Sequence, residues 1–265
     1  MKNKILSNLP PDHPWASLLD WRDTLPSTNT AAKELAAAGA PQGTAVVAGS
    51  QTAGRGRLGR SFCSQAGQGV YMSLILRPDC APSQLMHLTC AAGVAACDAV
   101  EDAFGFRPGI KWINDLVVDG KKLGGILTEL SISPVTGKVD YAVVGIGVNC
   151  AQQAHDFPEH LRPIACSAAM VTGSACEPAK LTAALLVRLA QMASILSQQE
   201  ALMGRYRRDC VTIGKQITVI RGDGKRNGTA LQILPDGSLE VRYEDGTTEA
   251  VNSGEVSVRG MLGYV

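Results

Sequence analysis

The chain has 265 residues, 45% of them hydrophobic, and a net charge of +1. That length and apolar content fit one sizeable domain, or one plus a small appendage, and exclude a disordered chain. Near-zero net charge gives no global argument for binding nucleic acid or acidic lipid, so cationic chemistry must be local; no apolar run approaches the roughly 18 residues a membrane span needs.

The first stretch, to about residue 20, is short and punctuated by Pro10, Pro11 and Pro14. It carries Lys2 and Lys4 but no long apolar segment behind them, so no signal peptide is expected. Ser27-Thr28-Asn29-Thr30 offers helix-capping side chains, Ala31–Ala38 favours helix and Gly39 supplies a stop. Thr44–Ser50 is β-prone and ends in Gln51. A glycine- and arginine-rich loop follows from Gly54 to Arg60. Val70–Leu76 reads as a strand that stops before Pro78. Leu85–Ala103 is alanine-rich and helical, with Gly93 its weak point. Ile110–Val118 reads as a strand running into Asp119-Gly120, a tight-hairpin signal, and Lys121–Leu130 returns. Tyr141–Val148, nearly all apolar and β-branched, has the pattern of a buried central strand. Leu181–Leu202 is read as helix, with Leu181, Leu185, Leu189, Met192 and Leu196 on its inward face.

The composition shifts near Cys210. From Thr212 on, Gly222-Asp223-Gly224, Pro235-Asp236-Gly237 and Glu244-Asp245-Gly246 separate five short alternating segments, the pattern of a compact β-barrel. The expected division is residues 1–211 and 212–265.

Eight cysteines form no CxxC pair and four histidines form no HExxH motif. Without an export signal the cysteines read as reduced thiols, several of them buried, in a cytoplasmic protein with no protein-held metal.

Gly54-Arg55-Gly56-Arg57-Leu58-Gly59-Arg60 contains a literal GxGxxG. A dinucleotide fold requires that pattern to open a helix, whereas here Ser61–Gly69 is loop-like and leads into a strand. No GxxxxGK[ST] phosphate loop exists. The glycines let backbone approach a ligand closely, and the arginines offer planar forks suited to phosphate and carboxylate. Three arginines so close together repel one another unless an anion neutralises them. A polyphosphate beside a carboxylate fits; a solvated basic loop, or one touching nucleic acid, is the competing reading.

Lys111-Trp112-Ile113-Asn114-Asp115 precedes the hairpin. A two-residue turn at Asp119-Gly120 pairs Val118 with Lys121 and Val117 with Lys122, and puts Asp115 opposite Gly124. Alternation then places Lys111, Asp115 and Lys122 on one face. Beside Gly124-Gly125 they describe an anion site, or alternatively an exposed ion-pair cluster worth only about 0–1 kcal/mol per pair. Asn149, closing Gly145-Ile146-Gly147-Val148-Asn149, either reads a ligand edge or caps a turn.

In order, Ser27-Thr28-Asn29, Gln51 with the Gly54–Arg60 loop, Lys111–Asp115, Lys122-Leu123-Gly124-Gly125-Ile126-Leu127 and Gly145–Asn149 resemble the biotin protein ligase family. The resemblance runs from about residue 21 to the C-terminus. It implies an α/β (α+β) catalytic domain on a mixed sheet, similar to class II aminoacyl-tRNA synthetases, with a small C-terminal SH3-like barrel. It implies that Ser27, Thr28, Asn29 and Gln51 line a biotin site. Arg55, Gly56 and Arg57 would wrap the carboxylate and phosphate, and Lys122 would hold the carboxylate or bridging oxygen. Lys111, Asn114, Asn149 and Phe62 would serve ATP, and Asp115 the transfer to a lysine. The substrates implied are biotin and ATP with Mg²⁺, and the partner is a biotin carboxyl carrier protein or domain of a biotin-dependent carboxylase. Three positions depart from the usual pattern: Phe62 for tryptophan, Ile113 for proline and Gly124 for alanine. Bifunctional members carry a DNA-binding winged helix before the Ser-Thr-Asn segment. Only 26 residues precede Ser27, so DNA binding is not expected, nor is membrane attachment. Homodimerisation is left open. The nearest rival is a lipoate or octanoate ligase of related fold; a biotin-sensing repressor or inert binding module is the non-enzyme rival.

Overall fold

The computed structural model describes residues 1–192, 196–252 and 256–260, the last five by backbone alone. The first seven strands are β1 (Leu19–Leu25), β2 (Ala45–Gln51), β3 (Gly69–Leu76), β4 (Gly109–Lys111), β5 (Asp115–Val118), β6 (Lys121–Ile132) and β7 (Val139–Asn149). They form one mixed sheet in the order β1-β2-β3-β7-β6-β5-β4. β1 and β2 run parallel and the other pairings are antiparallel.

The apolar run of residues 141–148 has the expected place, in the middle of the sheet. Successive side chains point to opposite faces, so a strand covered on both sides must be apolar throughout. On one face Val46, Ile75 and Val143 pack against Ala32 and Ala36 of helix α2 (Thr28–Ala37). On the other, Val47, Met72, Leu74 and Val144 join the main core with helices α3 (Leu85–Phe104) and α5 (Pro178–Ala190). Two short helices, α1 (Lys2–Leu6) and α4 (Ala168–Thr172), and a longer one, α6 (Gln199–Asp209), complete this part.

The structure departs from the sequence reading at four places here. β1 lies at the sheet edge, and its polar, half-exposed run Asp20–Thr24 gave no apolar signal. The segment 110–118 is not one strand. The chain reverses through Trp112–Asn114, around a cis Trp112–Ile113 peptide, so that β4 and β5 pair antiparallel. The inward face from Leu181 to Met192 is buried, but α5 ends at Ala190 and α6 begins at Gln199. Residues 193–195 lie outside the described residues. Finally, Asp115 pairs with Gly125, not Gly124, because a bulge at Leu123 shifts the register between Leu116 and Val117. The turn itself is as expected: Asp119 and Gly120 both have positive φ.

The C-terminal segments form β8 (Gln216–Arg221), β9 (Gly224–Ile233), β10 (Leu239–Tyr243), β11 (Thr248–Val251) and β12 (Val256–Gly260). Their order is β11-β10-β9-β8-β12. This corrects the barrel expectation: among the described residues no pairing joins β11 to β12, so the sheet is open. The turn signals mark hairpins but carry no information about closure, which depends on pairing between the first and last edges.

Two polar clusters fix the layers. Arg107, just after α3, donates to Asp98 and Glu101 at 2.8 Å and to Asp209 of α6 at 3.1 Å. Trp112 donates its backbone N–H to Thr212 Oγ1 at 2.9 Å and its indole N–H to the Gly237 carbonyl at 3.0 Å. The segment ahead of β8 and the β9–β10 turn are therefore bonded directly to the Lys111–Asp115 reversal.

Candidate active site

The ends of α2, β2, β4, β5, β6 and β7 surround a cavity of about 510 Å³. All thirteen residues singled out from sequence line it: Ser27, Thr28, Asn29, Gln51, Arg55, Gly56, Arg57, Phe62, Lys111, Asn114, Asp115, Lys122 and Asn149. Among the described residues five cationic side chains line it, Arg60 included, with Asp115 as the lining carboxylate. The Gly-Arg segment and the lysine-bearing ribbon thus lie on the same side of the molecule.

One end is built by α2. Ser27 occupies the N-cap position, but its side chain makes no cap hydrogen bond. Gln51 performs that task, accepting from the Thr28 N–H at 2.8 Å and Thr28 Oγ1 at 3.2 Å while donating to Ser64 Oγ at 2.8 Å. Ser73, fully buried, shares its one O–H between Asn29 Oδ1 at 2.6 Å and Thr28 Oγ1 at 2.8 Å. Asn29 Nδ2 donates to the Leu127 carbonyl and to Glu129. The amides of Asn29 and Gln51 are thus bonded within the protein, and this end of the cavity is a rigid polar wall.

Two glycines of β7 make room. A Cβ on Gly145 would lie 1.8 Å from Asn29 Oδ1, and one on Gly147 would lie 2.7 Å from the Phe62 ring. The amide and the ring rest where a larger residue would put a side chain, which explains the Gly-x-Gly pattern. Phe62 also meets Tyr71 edge-on, ring centres 6.3 Å apart.

The loop after Gly54 contains only one short 3₁₀ turn, Arg57–Gly59, and then enters β3 through further loop. It opens no helix, so the dinucleotide pattern fails structurally as it did by context. Arg57 donates to Asn114 Oδ1 at 3.1 Å, and Asn114 Nδ2 donates to the Ile126 carbonyl at 2.8 Å. Burial pushes the Arg57 guanidinium below its ordinary pKa, aided by Arg60 and opposed by the Asp115 charge. An anion alongside would relieve that cost. Arg55 leans the other way, onto Glu129 at 3.2 Å.

Lys111 pairs across the reversal with Asp115, and Lys122 Nζ donates to Asp115 Oδ1 at 2.7 Å. The shared face foreseen from alternation exists, but it arises from cross-strand pairing and the Leu123 bulge. A Cβ on Gly125 would approach both Asp115 Oδ1, at 3.2 Å, and Lys122 Nζ, at 3.3 Å. Asn149, only 6% exposed, donates to the Cys166 carbonyl at 2.9 Å. Tyr206 of α6 donates to the Ile113 carbonyl at 3.0 Å and anchors the reversal from below.

Sequence reasoning missed several participants. Ser73 was signalled by one hydroxyl inside the apolar run of β3. Glu129 stands in the segment read as the returning hairpin strand and Lys33 in the one read as helix-favouring, with no role given to either charge. Phe157, Leu161 and Ile164 close one wall from a segment without periodicity. Among the described residues no group of three or more His, Cys, Asp or Glu could hold a metal.

A mixed sheet whose strand ends and glycine-rich loop collect five cations around one cavity defines an α/β domain built to hold anions side by side. Comparison with known proteins places it more narrowly. The profile of the biotin/lipoate A/B protein ligase family matches residues 21–149, and that of the biotin protein ligase C terminal domain matches residues 212–259. The chain is 32% identical over 237 residues to the biotin–[acetyl-CoA-carboxylase] ligase of Mycobacterium tuberculosis, covering 87% of this chain and 85% of that one. It is 47% identical over 155 residues to the bifunctional ligase/repressor BirA of Bacillus subtilis, covering 58% of this chain and 47% of that one. The match spans about half the length of that relative. The biotin protein ligase from Aquifex aeolicus in complex with biotin and ATP superposes with a TM-score of 0.77 at 29% identity, covering 91% and 98% of the two chains. The chain belongs to the biotin protein ligase family.

Proposed function

We propose that the protein is an ATP-dependent biotin protein ligase, which forms biotinyl-5′-AMP and transfers biotin to a lysine of a biotin carboxyl carrier domain. The observation that carries the reading is the convergence of Arg55, Arg57, Arg60, Lys111 and Lys122 on one cavity beside a polar wall. A carboxylate and ATP repel, and a pocket with this charge imbalance offsets that repulsion. The polar wall of Thr28, Asn29 and Gln51 suits a ligand whose far end is polar. That favours biotin, with its urea ring, over lipoate.

In this reading the biotin carboxylate attacks the α-phosphorus of ATP, and pyrophosphate leaves. Arg57 and Lys122 stabilise charge on the phosphorus oxygens, with Arg55 and Gly56 beside the carboxylate. Lys111, Asn114 and Asn149 hold the nucleotide while Phe62 stacks on the base. No covalent enzyme intermediate is needed, because positioning and electrostatics carry the step. The acceptor lysine then attacks the mixed anhydride, its amine oriented and deprotonated at Asp115, and AMP leaves. Asp115, the lining carboxylate among the described residues, would help hold Mg²⁺, which would supply further charge neutralisation. We assign residues 1–211 to this chemistry and residues 212–265 to the C-terminal unit that braces Trp112.

The test is transfer of labelled biotin to a purified carrier domain, with and without ATP and Mg²⁺, alongside ATP–pyrophosphate exchange with biotin or lipoate. ATP-dependent labelling and exchange with biotin are expected. Exchange with lipoate alone, or none with any acid, would overturn the reading.

A further inference from the structure

We infer that Glu129 is a positioning residue that tethers the Gly-Arg loop to the sheet before any ligand arrives. Its carboxylate does not line the cavity, yet it joins two segments that do. Arg55 meets it in a forked geometry, Nη1 to Oε2 and Nη2 to Oε1, both at 3.2 Å. Asn29 of α2 donates to the same oxygen, Oε2, at 3.0 Å. Lys33 of α2 donates to Oε1 at 3.0 Å from outside the cavity. One carboxylate on β6 thus fixes the loop, α2 and the sheet relative to one another. Burial raises the Glu129 pKa, but the Asn29 and Lys33 hydrogen bonds and the nearby charge of Arg55 outweigh it and hold the group below its ordinary range.

The geometry also divides labour among the arginines. Arg55, at the cavity wall, is held by Glu129, while Arg57 is held by Asn114. Forked arginine–carboxylate pairing restricts orientation as well as distance. With Arg55 held, less loop entropy remains to be lost when a ligand orders residues 54–60, so binding is tighter without any contact between Glu129 and ligand.

Limited trypsin digestion of the ligand-free protein tests the tether directly, since Arg55, Arg57 and Arg60 are cleavage sites. Glu129→Gln should be cut in the loop about fivefold faster than the parent protein, the order expected for losing one partly exposed ion pair. Arg55→Met, which removes the loop side of the pair at an exposed position, should accelerate cleavage after Arg57 and Arg60 similarly, and the double variant should be no faster than either single one. Lys33→Met, touching the same carboxylate from outside the loop, should be cut at the parental rate. Parental cleavage in both Glu129→Gln and Arg55→Met, or equal acceleration in Lys33→Met, would overturn the inference. The catalytic consequence rests on the ligase reading: Glu129→Gln should raise the KM for biotin while leaving kcat within about twofold. Faster loop cleavage with an unchanged KM would leave the tether standing and count instead against Arg55 as a biotin-side residue.

Discussion

The chain gathers arginines and carboxylates in two places, and the two clusters differ in their balance. Behind α3, Arg107, Arg205 and Arg208 meet Asp98, Glu101 and Asp209, and each carboxylate has an arginine partner at 3.0 Å or less. Around the cavity, among the described residues, five cations line the wall with Asp115 as the lining carboxylate, and Glu129 holds Arg55 from behind. The first arrangement neutralises itself and fastens α6 to α3. The second puts more cationic than anionic side chains on one wall. Cations gathered from distant segments in greater number than the carboxylates lining the same space are the physical mark of a binding site; evenly matched charge marks a structural fastening.

The sharpest way to break this contrast is to remove one arginine from each cluster. Arg107→Ala leaves Asp209, 7% exposed, with Arg208 alone. Stability should fall by ~3–4 kcal/mol, the usual cost of leaving a buried charge poorly compensated. Urea denaturation would show it, and activity should persist in the fraction still folded. Arg57→Ala should do the reverse. Its unfolding midpoint should stay near that of the parent, while biotinyl-adenylate binding weakens by ~1.5–3 kcal/mol, the worth of a charged hydrogen bond. Calorimetry or retention of labelled adenylate measures this. If both substitutions destabilise alike, the two clusters are of one kind and the contrast fails.

The cavity cluster was also the more legible of the two in the sequence. Glycines interleaved with arginines from Gly54 to Arg60, and two lysines flanking an Asp-Gly turn, are local patterns with local causes. Their convergence follows once the hairpin register is known. The Arg107 cluster carried no such pattern, because its partners come from α3, the segment after it and α6, and only tertiary packing joins them. The same limit hid Ser73, a single hydroxyl in an apolar strand, and Glu129, one of several polar residues in a strand read as a hairpin return. It also hid the reversal at Trp112–Asn114, where Trp112 and Ile113 are β-prone and no glycine or proline announces the turn. Barrel closure was misread because hairpin signals specify neighbours in sequence and not the meeting of distant edges.

A smaller effect tests whether the apolar wall of the cavity belongs with its charges. Phe62 lies against Gly147 and edge-on to Tyr71. Phe62→Leu keeps apolar bulk but loses the flat face. The KM for ATP should rise about fivefold, or ~1 kcal/mol, the low end of base-stacking energies, with the biotin KM little changed. Equal effects on both substrates would mean that the ring shapes the whole cavity instead of one subsite.

The smallest effect concerns Glu129, which stands between the two kinds of cluster: it pairs cations as Asp209 does, yet it borders the site. Its folded-state pKa is lowered from the ordinary value of 4.5, with burial opposed and overcome by Asn29, Lys33 and Arg55. Between the lowered value and the ordinary one the unfolded chain binds more protons, so the stabilisation is complete above 4.5 and fades as pH falls through the folded value. Partial solvent exposure keeps the contribution to ~1 kcal/mol or less. Glu129→Gln should therefore be slightly less stable than the parent at neutral pH, and the two denaturation midpoints should merge on acidification. A gap that widened toward acid would mean the carboxyl is stabilised as the neutral acid, and Glu129 would then be no counter-ion for the loop.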